Sequence, residues 1–299
     1  MSMEPLVSVI IPFYSGMSWL KEAVDSVFQQ SFSDYEIIVV NDGSKEDDTA
    51  FLAEYGERIR YIRKANSGPG PSRNLGIREA RGKYLAFLDS DDLWLPEKLK
   101  IQVEYLERTS EVWCMSTYIK FGEGMEEELV DNSYFQRDLF PLCFYHMHFA
   151  TPSVIVRKDY LEKNNLGFSE TMRYGQDVFL WSNMILSGLY NIKVFSEPLV
   201  KIRMRGNGNA NRRVICHLQG KAQMWEFLSK YRKNPACPKV PVSVVFLYRW
   251  CWLGFQFWKK AGFKGKTGDM FSLLIYLFPF FCFKVRYFLY RRTHDVVDA

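Results

Sequence analysis

The chain reads as an α/β protein with a mainly parallel central sheet flanked by helices. Three observations predict this. Strand-like runs recur at Leu6–Phe13, Tyr35–Val40, Arg58–Arg63 and Tyr84–Leu88. Leu6–Phe13 is continuous rather than alternating, as strands covered on both faces are, and Tyr35–Val40 and Tyr84–Leu88 read as buried strands too. Stretches of helical length separate them, which makes βαβ units and parallel pairing.

Each element has its own signal. Ser18 is placed to N-cap a helix whose apolar face is Leu20, Ala23, Val24, Val27 and Phe28. The turn sequence Asn41-Asp42-Gly43-Ser44 closes the second strand. Pro71 opens a helix to about Ala80, and Pro96 another to about Arg108, the first turn being where proline is tolerated. Val112–Ile119, Ser153–Val156 and Tyr190–Phe195 read as further strands, and Gln176–Leu186 as a helix with Val178, Trp181 and Ile185 on one side. Residues 122–150, with Glu126-Glu127-Glu128 and many aromatics, read as loops and short helices.

At 299 residues and 47% hydrophobic content, the chain can bury a full core and is not a disordered protein. Its six cysteines form no Cys-x-x-Cys pair, which argues against a disulfide framework or zinc knuckle and fits a reducing cytosol. Met-Ser-Met-Glu-Pro lacks the basic region of a signal peptide. His146-x-His148 has no third ligand at zinc spacing.

Charge is distributed unevenly. Residues 221–299 hold 14 Lys and Arg against 4 Asp and Glu, while residues 1–220 hold 25 against 30. An acidic body carries a basic, aromatic tail, which suggests an anionic surface. The tail has two apolar stretches. Val240–Trp258 contains one charge, Arg249, and Phe271–Phe283 has 13 residues, short of the roughly 20 needed to span a bilayer. Spanning by both would also put Lys259, Lys260, Lys264 and Lys266 on the outside, against the positive-inside tendency. Helices lying in the cytoplasmic membrane interface fit better. A helical extension packed on the body and an oligomer interface are the alternatives.

Three polar clusters end predicted parallel strands: Pro12-Phe13-Tyr14, Asn41-Asp42-Gly43-Ser44 and Asp89-Ser90-Asp91-Asp92. Ligands of open α/β sheets bind at that edge. Three carboxylates so close repel one another unless something positive sits between them, and a divalent metal is the usual solution; if that metal carries a phosphate ligand, the site is a nucleotide-diphosphate site.

Order and spacing of these clusters, with Val7-Ser8-Val9-Ile10-Ile11, Asn66-Ser67-Gly68 and Ser72-Arg73-Asn74-Leu75-Gly76, closely resemble the family 2 glycosyltransferases over about residues 6–210. The resemblance implies a GT-A-type fold, with residues 1–215 as the catalytic domain and 216–299 as a helical extension. It also implies a UDP-sugar donor, Mn²⁺ or Mg²⁺, and inversion at the anomeric carbon. By position in the family, Pro12 and Tyr14 line the base pocket and Asp42 contacts uracil or ribose. Asp91 holds the metal, Asp89 serves the ribose or the metal's water shell, and Ser90 lies between them. Asp92 has two readings, part of this cluster or a cap of the next helix. Arg73 and Asn74 match a motif near the nucleotide.

Gly175-Gln176-Asp177 stands where the family has Gly-Glu-Asp, so Asp177 is the expected base, with Gln176 a departure. Arg205 replaces the family's histidine and would bind the diphosphate rather than a metal. Asn207, Asn209 and Asn211 suggest a mobile loop over the donor. The resulting expectation is a cytoplasmic enzyme, peripheral at the inner face of the membrane. It would extend a lipid-linked glycan in cell-surface polysaccharide assembly, bind no nucleic acid, and leave oligomerisation open. The alternatives are a polyprenyl-phosphate acceptor, which needs no base, and a nucleic-acid-binding module using the basic tail. A nucleotidyltransferase would want a lysine-bearing glycine-rich loop, which Phe13-Tyr14-Ser15-Gly16-Met17 lacks.

Overall fold

A computed structural model describes residues 4–136, 139, 149–172, 175–205, 210–231, 239–261, 274–282 and 284–285. The chain forms two compact units, neither continuous in sequence. The first is Met1–Arg137, Phe149–Thr171 and Ile192–Arg205; the second is Asp138–His148, Met172–Asn191 and Gly206–Ala299. The expected boundary at 215/216 is therefore interrupted. Met172 and the helix that follows it pack with the C-terminal helices, the Met172 methyl lying 3.4 Å from where a Cβ on Gly220 would stand.

In the first unit the order is β1 (Val7–Phe13), α1 (Met17–Phe28), β2 (Tyr35–Asn41), α2 (Thr49–Tyr55), β3 (Arg60–Arg63), α3 (Pro69–Glu79) and β4 (Tyr84–Phe87). Then come β5 (Leu93–Trp94), α4 (Lys98–Arg108), β6 (Trp113–Phe121), β7 (Glu128–Val130), β8 (Ile155–Arg157), α5 (Lys158–Lys163) and β9 (Lys193–Arg203). One sheet runs β3-β2-β1-β4-β8-β6-β9-β5, with β7 beside β6. Pairing is parallel across β3, β2, β1 and β4. β8 is antiparallel to both β4 and β6, so β6 regains the direction of β4, and β9 is parallel to β6. The carboxyl ends of β1, β2, β4 and β9 therefore share one edge.

Every residue of β1 is buried, as expected of a central strand under helices. The predicted face of α1 packs on it through Leu20, Ala23, Val24 and Val27. The helix begins at Met17, with Gly16 left-handed at φ 90°, so Ser18 is not its cap. The Glu46 carboxylate takes that role, accepting the Gly16 and Met17 amides at 2.8 Å each and complementing the positive helix end. α3 lies unusually close to β1. A Cβ on Gly76 would stand 2.4 Å from the Ile10 methyl, so only glycine permits this approach.

α2, β5, β7 and α5 are additions to the expected elements; at seven, two, three and six residues they leave little periodicity to read. β9 runs on to Arg203 rather than ending at Phe195. Ser196-Glu197-Pro198 resembles a turn in sequence, yet the pairing with β6 shifts register there, the kind of irregularity that admits proline.

The second unit contains α6 (Gln176–Leu186), α7 (Ala210–Tyr231), α8 (Val242–Ala261) and a helical stretch over 274–282. Leu218, Cys251 and Tyr276 form a small core with Phe255 and Ile275 against it. Among the described residues no helix is long and apolar enough to cross a membrane. Asn211 is helical, in the first turn of α7. Asn207, Asn209, His146 and His148 lie outside the described residues.

Candidate active site

Asp42 follows β2 directly and is 4% exposed. One of its carboxylate oxygens accepts the Lys64 ammonium and the Ser67 amide at 2.9 Å; the other accepts the Gly68 amide at 2.8 Å. The carboxylate thus binds the backbone just ahead of α3, where helix polarity favours an anion. Asn41 closes the turn beside it by accepting the Ser44 amide at 2.8 Å. Gly43 is required there. Its φ is +76°, and a Cβ would stand 2.8 Å from the Asn66 nitrogen.

The second cluster leaves the end of β4, and each of its carboxylates has a different partner. Asp89 accepts the Arg73 guanidinium, which reaches across from α3. Arg73 is 4% exposed and lies over the Phe168 ring at 5.2 Å. Its Nε and Nη1 are buried with no hydrogen-bond partner among the described residues. Asp91 is paired with Arg205 at 2.7 Å. Burial, with Asp89 nearby, holds the Asp91 carboxyl above the usual carboxylate range.

Asp92 is buried and accepts the Arg203 amide at 2.7 Å. Burial, then the neighbouring Asp89 and Asp91 charges, push it well above the ordinary range. It does not cap a helix, since β5 intervenes and Glu97 precedes α4. Its position ties the β4 turn to the end of β9.

The other expected residues fall as follows. Pro12 is buried in β1 and in register with Val40. Tyr14, just past the strand, is 56% exposed. Ser90 is buried in the turn. Asn74 spends its amide elsewhere than on an open edge. Its nitrogen donates to the Phe168 carbonyl at 2.9 Å and to Glu170 at 3.1 Å, and its oxygen accepts the Phe168 amide at 2.9 Å. It therefore holds the segment that carries the ring beneath Arg73. Asp177 belongs to the second unit, in the first turn of α6 after left-handed Gly175, and its carboxylate accepts the Val178 amide at 2.8 Å. Gln176 is buried, with its Oε1 unpartnered among the described residues.

Several residues that sequence reasoning passes over complete the edge. Lys64 neutralises Asp42. Arg203 donates through Nε to the Asp91 carbonyl at 2.8 Å and pairs with Glu22. The Trp19 ring lies 4.7 Å from the Arg205 guanidinium and 5.7 Å from that of Arg203. Trp19 and Glu22 stand off the apolar face of α1, and that placement is the one signal they leave in the sequence.

Asp89 and Asp91 are hard oxygen donors of the kind Mn²⁺ or Mg²⁺ takes. Among the described residues no three His, Cys, Asp or Glu side chains converge into a metal cage. An ion of this class commonly uses one or two carboxylates and completes its shell with phosphate oxygens and water. Asp91 could take that role, with its partner Arg205 50% exposed.

Comparison with known proteins gives consistent findings. The family described as Glycosyl transferase family 2 matches residues 8–164. A Rickettsia felis protein named an uncharacterized glycosyltransferase is 36% identical over 206 residues, covering 68% of this chain and 34% of the relative. The Rickettsia prowazekii glycosyltransferase RP339 is 33% identical over 250 residues, covering 77% of this chain and 74% of the relative. The match thus spans about a third of the length of the first of these relatives and about three quarters of the second. Among solved structures, S. aureus TarS 1-349 superposes with a TM-score of 0.61 at 20% identity, covering 85% of this chain and 72% of that one. The same protein in complex with UDP-GlcNAc gives 0.63 at 20% identity, covering 85% and 73%. This likeness carries the GT-A fold.

Proposed function

The chain belongs to glycosyl transferase family 2, and from that premise we propose that it is an inverting enzyme using a UDP-sugar. It would move a hexose or N-acetylhexosamine onto a hydroxyl of a lipid-linked glycan in cell-surface polysaccharide assembly. One observation carries the donor reading: Asp42 and the Asp89–Asp92 turn stand at the same carboxyl edge of one sheet, with only β1 between their strands. Two strand spacings are about 10 Å, which suits a ligand with a base at one end and a diphosphate at the other. The S. aureus neighbours in complex with UDP and with UDP-GlcNAc support this donor class by analogy of fold.

In this reading Pro12 and Tyr14 frame the base. Asp42, with three of its roughly four acceptor positions used internally, keeps one for a uracil N–H or a ribose hydroxyl. Asp89, oriented by Arg73, serves the ribose side, with Ser90 beside it. Asp91, with Asp89 near it, would hold Mn²⁺ or Mg²⁺, which when bound neutralises charge on the leaving diphosphate. Arg205 turns from Asp91 to that diphosphate and offers it a planar pair of donors. Asn74 acts at one remove, through the segment it holds. Asp177 accepts the acceptor's hydroxyl proton as that oxygen bonds to the anomeric carbon and the bond to UDP breaks. The setting is the cytoplasmic face of the membrane, with the basic, aromatic C-terminal part keeping the enzyme near its lipid-borne acceptor.

The test is release of nucleotide from a panel of uridine and guanosine diphosphate sugars with Mn²⁺ or Mg²⁺ present. Release from a UDP-sugar and a loss of about 100-fold in Asp91→Ala are expected. Equal turnover by Asp91→Ala would remove the metal assignment, and release from guanosine donors alone would remove the uridine one.

A further inference from the structure

Fifteen large hydrophobic side chains are exposed among the described residues, and eleven of them lie between 242 and 285. They are not scattered. At about 100° per residue, Val242, Phe246, Trp250, Leu253 and Phe257 of α8 fall within an arc of about 80°. Val244, Leu247, Tyr248 and Cys251, which α8 buries, occupy the opposite side. That side meets α7, where the Lys221 ammonium donates to the Tyr248 hydroxyl at 3.0 Å. The contact of α8 with α7 is therefore made by the side opposite its apolar stripe.

The stripe continues onto the 274–282 helix. The Trp250 indole donates to the Ile275 carbonyl at 3.2 Å, and its ring lies 5.6 Å from that of Phe278. A Cβ on Gly254 would stand 2.3 Å from an Ile275 methyl, so glycine lets the two helices close up. Leu274, Phe278 and Phe281, spaced at i, i+4 and i+7, remain 49–68% exposed. The two helices present one apolar surface, and neither is long and apolar enough to cross a membrane.

Charge decides what covers this surface. Residues 240–285 carry six Lys and Arg and one acidic residue, Asp269. Arg249 and Lys260 are exposed at one edge of the α8 stripe on the wheel, and Lys284 is exposed and helical just past residue 282. Two copies meeting through this face would set like charges across a two-fold axis with almost no acid to pair them. An anionic lipid surface accepts both the apolar stripe and the basic flank.

We infer that the exposed face of α8 and the 274–282 helix is a bilayer-docking surface, lying in the headgroup region of an anionic membrane with Phe246, Trp250, Leu253 and Phe257 directed into the acyl boundary. This deepens the membrane-face reading proposed above and rests on it.

The experiment uses the full chain and vesicles of phosphatidylglycerol and phosphatidylethanolamine, with phosphatidylcholine vesicles as the neutral arm. The protein is expected to sediment with anionic vesicles at least tenfold more strongly than with neutral ones. Phe246→Ser, Leu253→Ser and Phe257→Ser together should reduce that binding at least tenfold, with an unchanged circular dichroism spectrum. Arg249→Gln with Lys260→Gln should erase the preference for anionic lipid. Quenching of tryptophan fluorescence by brominated acyl chains should drop in Trp250→Phe. Undiminished binding in the triple serine variant overturns the inference. So does a dimer that the triple variant converts to monomer without any vesicle binding by the parent. Release of nucleotide from a soluble donor, measured without vesicles, reports on the transferase reading alone, so either conclusion can fail while the other stands.

Discussion

Arg205 sits on Asp91, guanidinium nitrogen to carboxylate oxygen at 2.7 Å, with the Trp19 ring 4.7 Å from the same guanidinium. The carboxylate best suited to a divalent cation is already held by a cation from the chain itself. The pair is half-open to water on the arginine side, so it contributes little to folding, on the order of 1 kcal/mol or less. Arg205→Ala should therefore leave the unfolding midpoint almost unchanged. It should bind Mn²⁺ several-fold more tightly in the absence of donor, measured by the loss of free-ion signal in electron paramagnetic resonance. Nucleotide release should fall at least tenfold. Unaltered Mn²⁺ affinity would show that Arg205 does not guard Asp91.

Arg73 and Asp89 are paired in a different environment, because Arg73 is 4% exposed. Removing one partner of a buried pair leaves an uncompensated charge and typically costs about 3–5 kcal/mol. Asp89→Ala would strand the Arg73 guanidinium against Phe168 and should lower stability by about that amount in urea titrations. Arg73→Lys should recover only part of the loss of Arg73→Ala, since an ammonium lacks the planar fork.

Lys98 is wholly buried between α4 and the sheet, donating to Gln102 at 2.7 Å with the Trp94 ring 4.4 Å away. Burial lowers its ammonium to about 7. An unfolded lysine titrates near 10.4, so between these values the unfolded chain binds a proton that the folded chain does not. Stability should rise with pH across that window, and the penalty should be complete below about pH 7. The Trp94 ring favours the charged form, which narrows the window. Lys98→Met should flatten the profile and stabilise the protein most at pH 6. Urea midpoints at pH 6, 8 and 9.5 check this; parallel profiles for the two proteins would refute it.

Asp177→Asn keeps the shape of the first turn of α6 and removes the proposed base. Turnover onto a hydroxyl acceptor should fall roughly 10²–10⁴-fold, with donor affinity by calorimetry unchanged. Undiminished turnover would point to an acceptor that needs no base, such as a polyprenyl phosphate.

Much of the proposed donor edge is legible along the chain. Asp42 and the Asp89–Asp92 turn each follow directly on a buried apolar run, and the end of a strand is a local event that neighbouring residues announce. The antiparallel β8 is harder to foresee. A three-residue strand has no periodicity to fix its direction, yet it turns a parallel sheet into a mixed one. Ser18 shows how a local rule is overruled. It has the chemistry of a cap, but the helix starts one residue earlier, and Glu46 reaches the Gly16 and Met17 amides from about 30 residues away and brings a charge.

The strand–helix alternation of the first ninety residues, the carboxylates at the strand ends and the excess of cations in the last eighty residues follow from composition and spacing alone. Those are properties of neighbours in the chain, set by side-chain volume, polarity and period. Which carboxylate pairs with which cation is different. Asp92 meets the Arg203 amide across 111 residues, and Asp42 meets Lys64 across 22. Such pairs form because β9 regains the direction of β4 through two antiparallel steps and because Gly76 lets α3 lie against β1. No stretch of sequence encodes either contact by itself. The division of labour among Asp42, Asp89, Asp91 and Asp92 is a property of the sheet edge that gathers them.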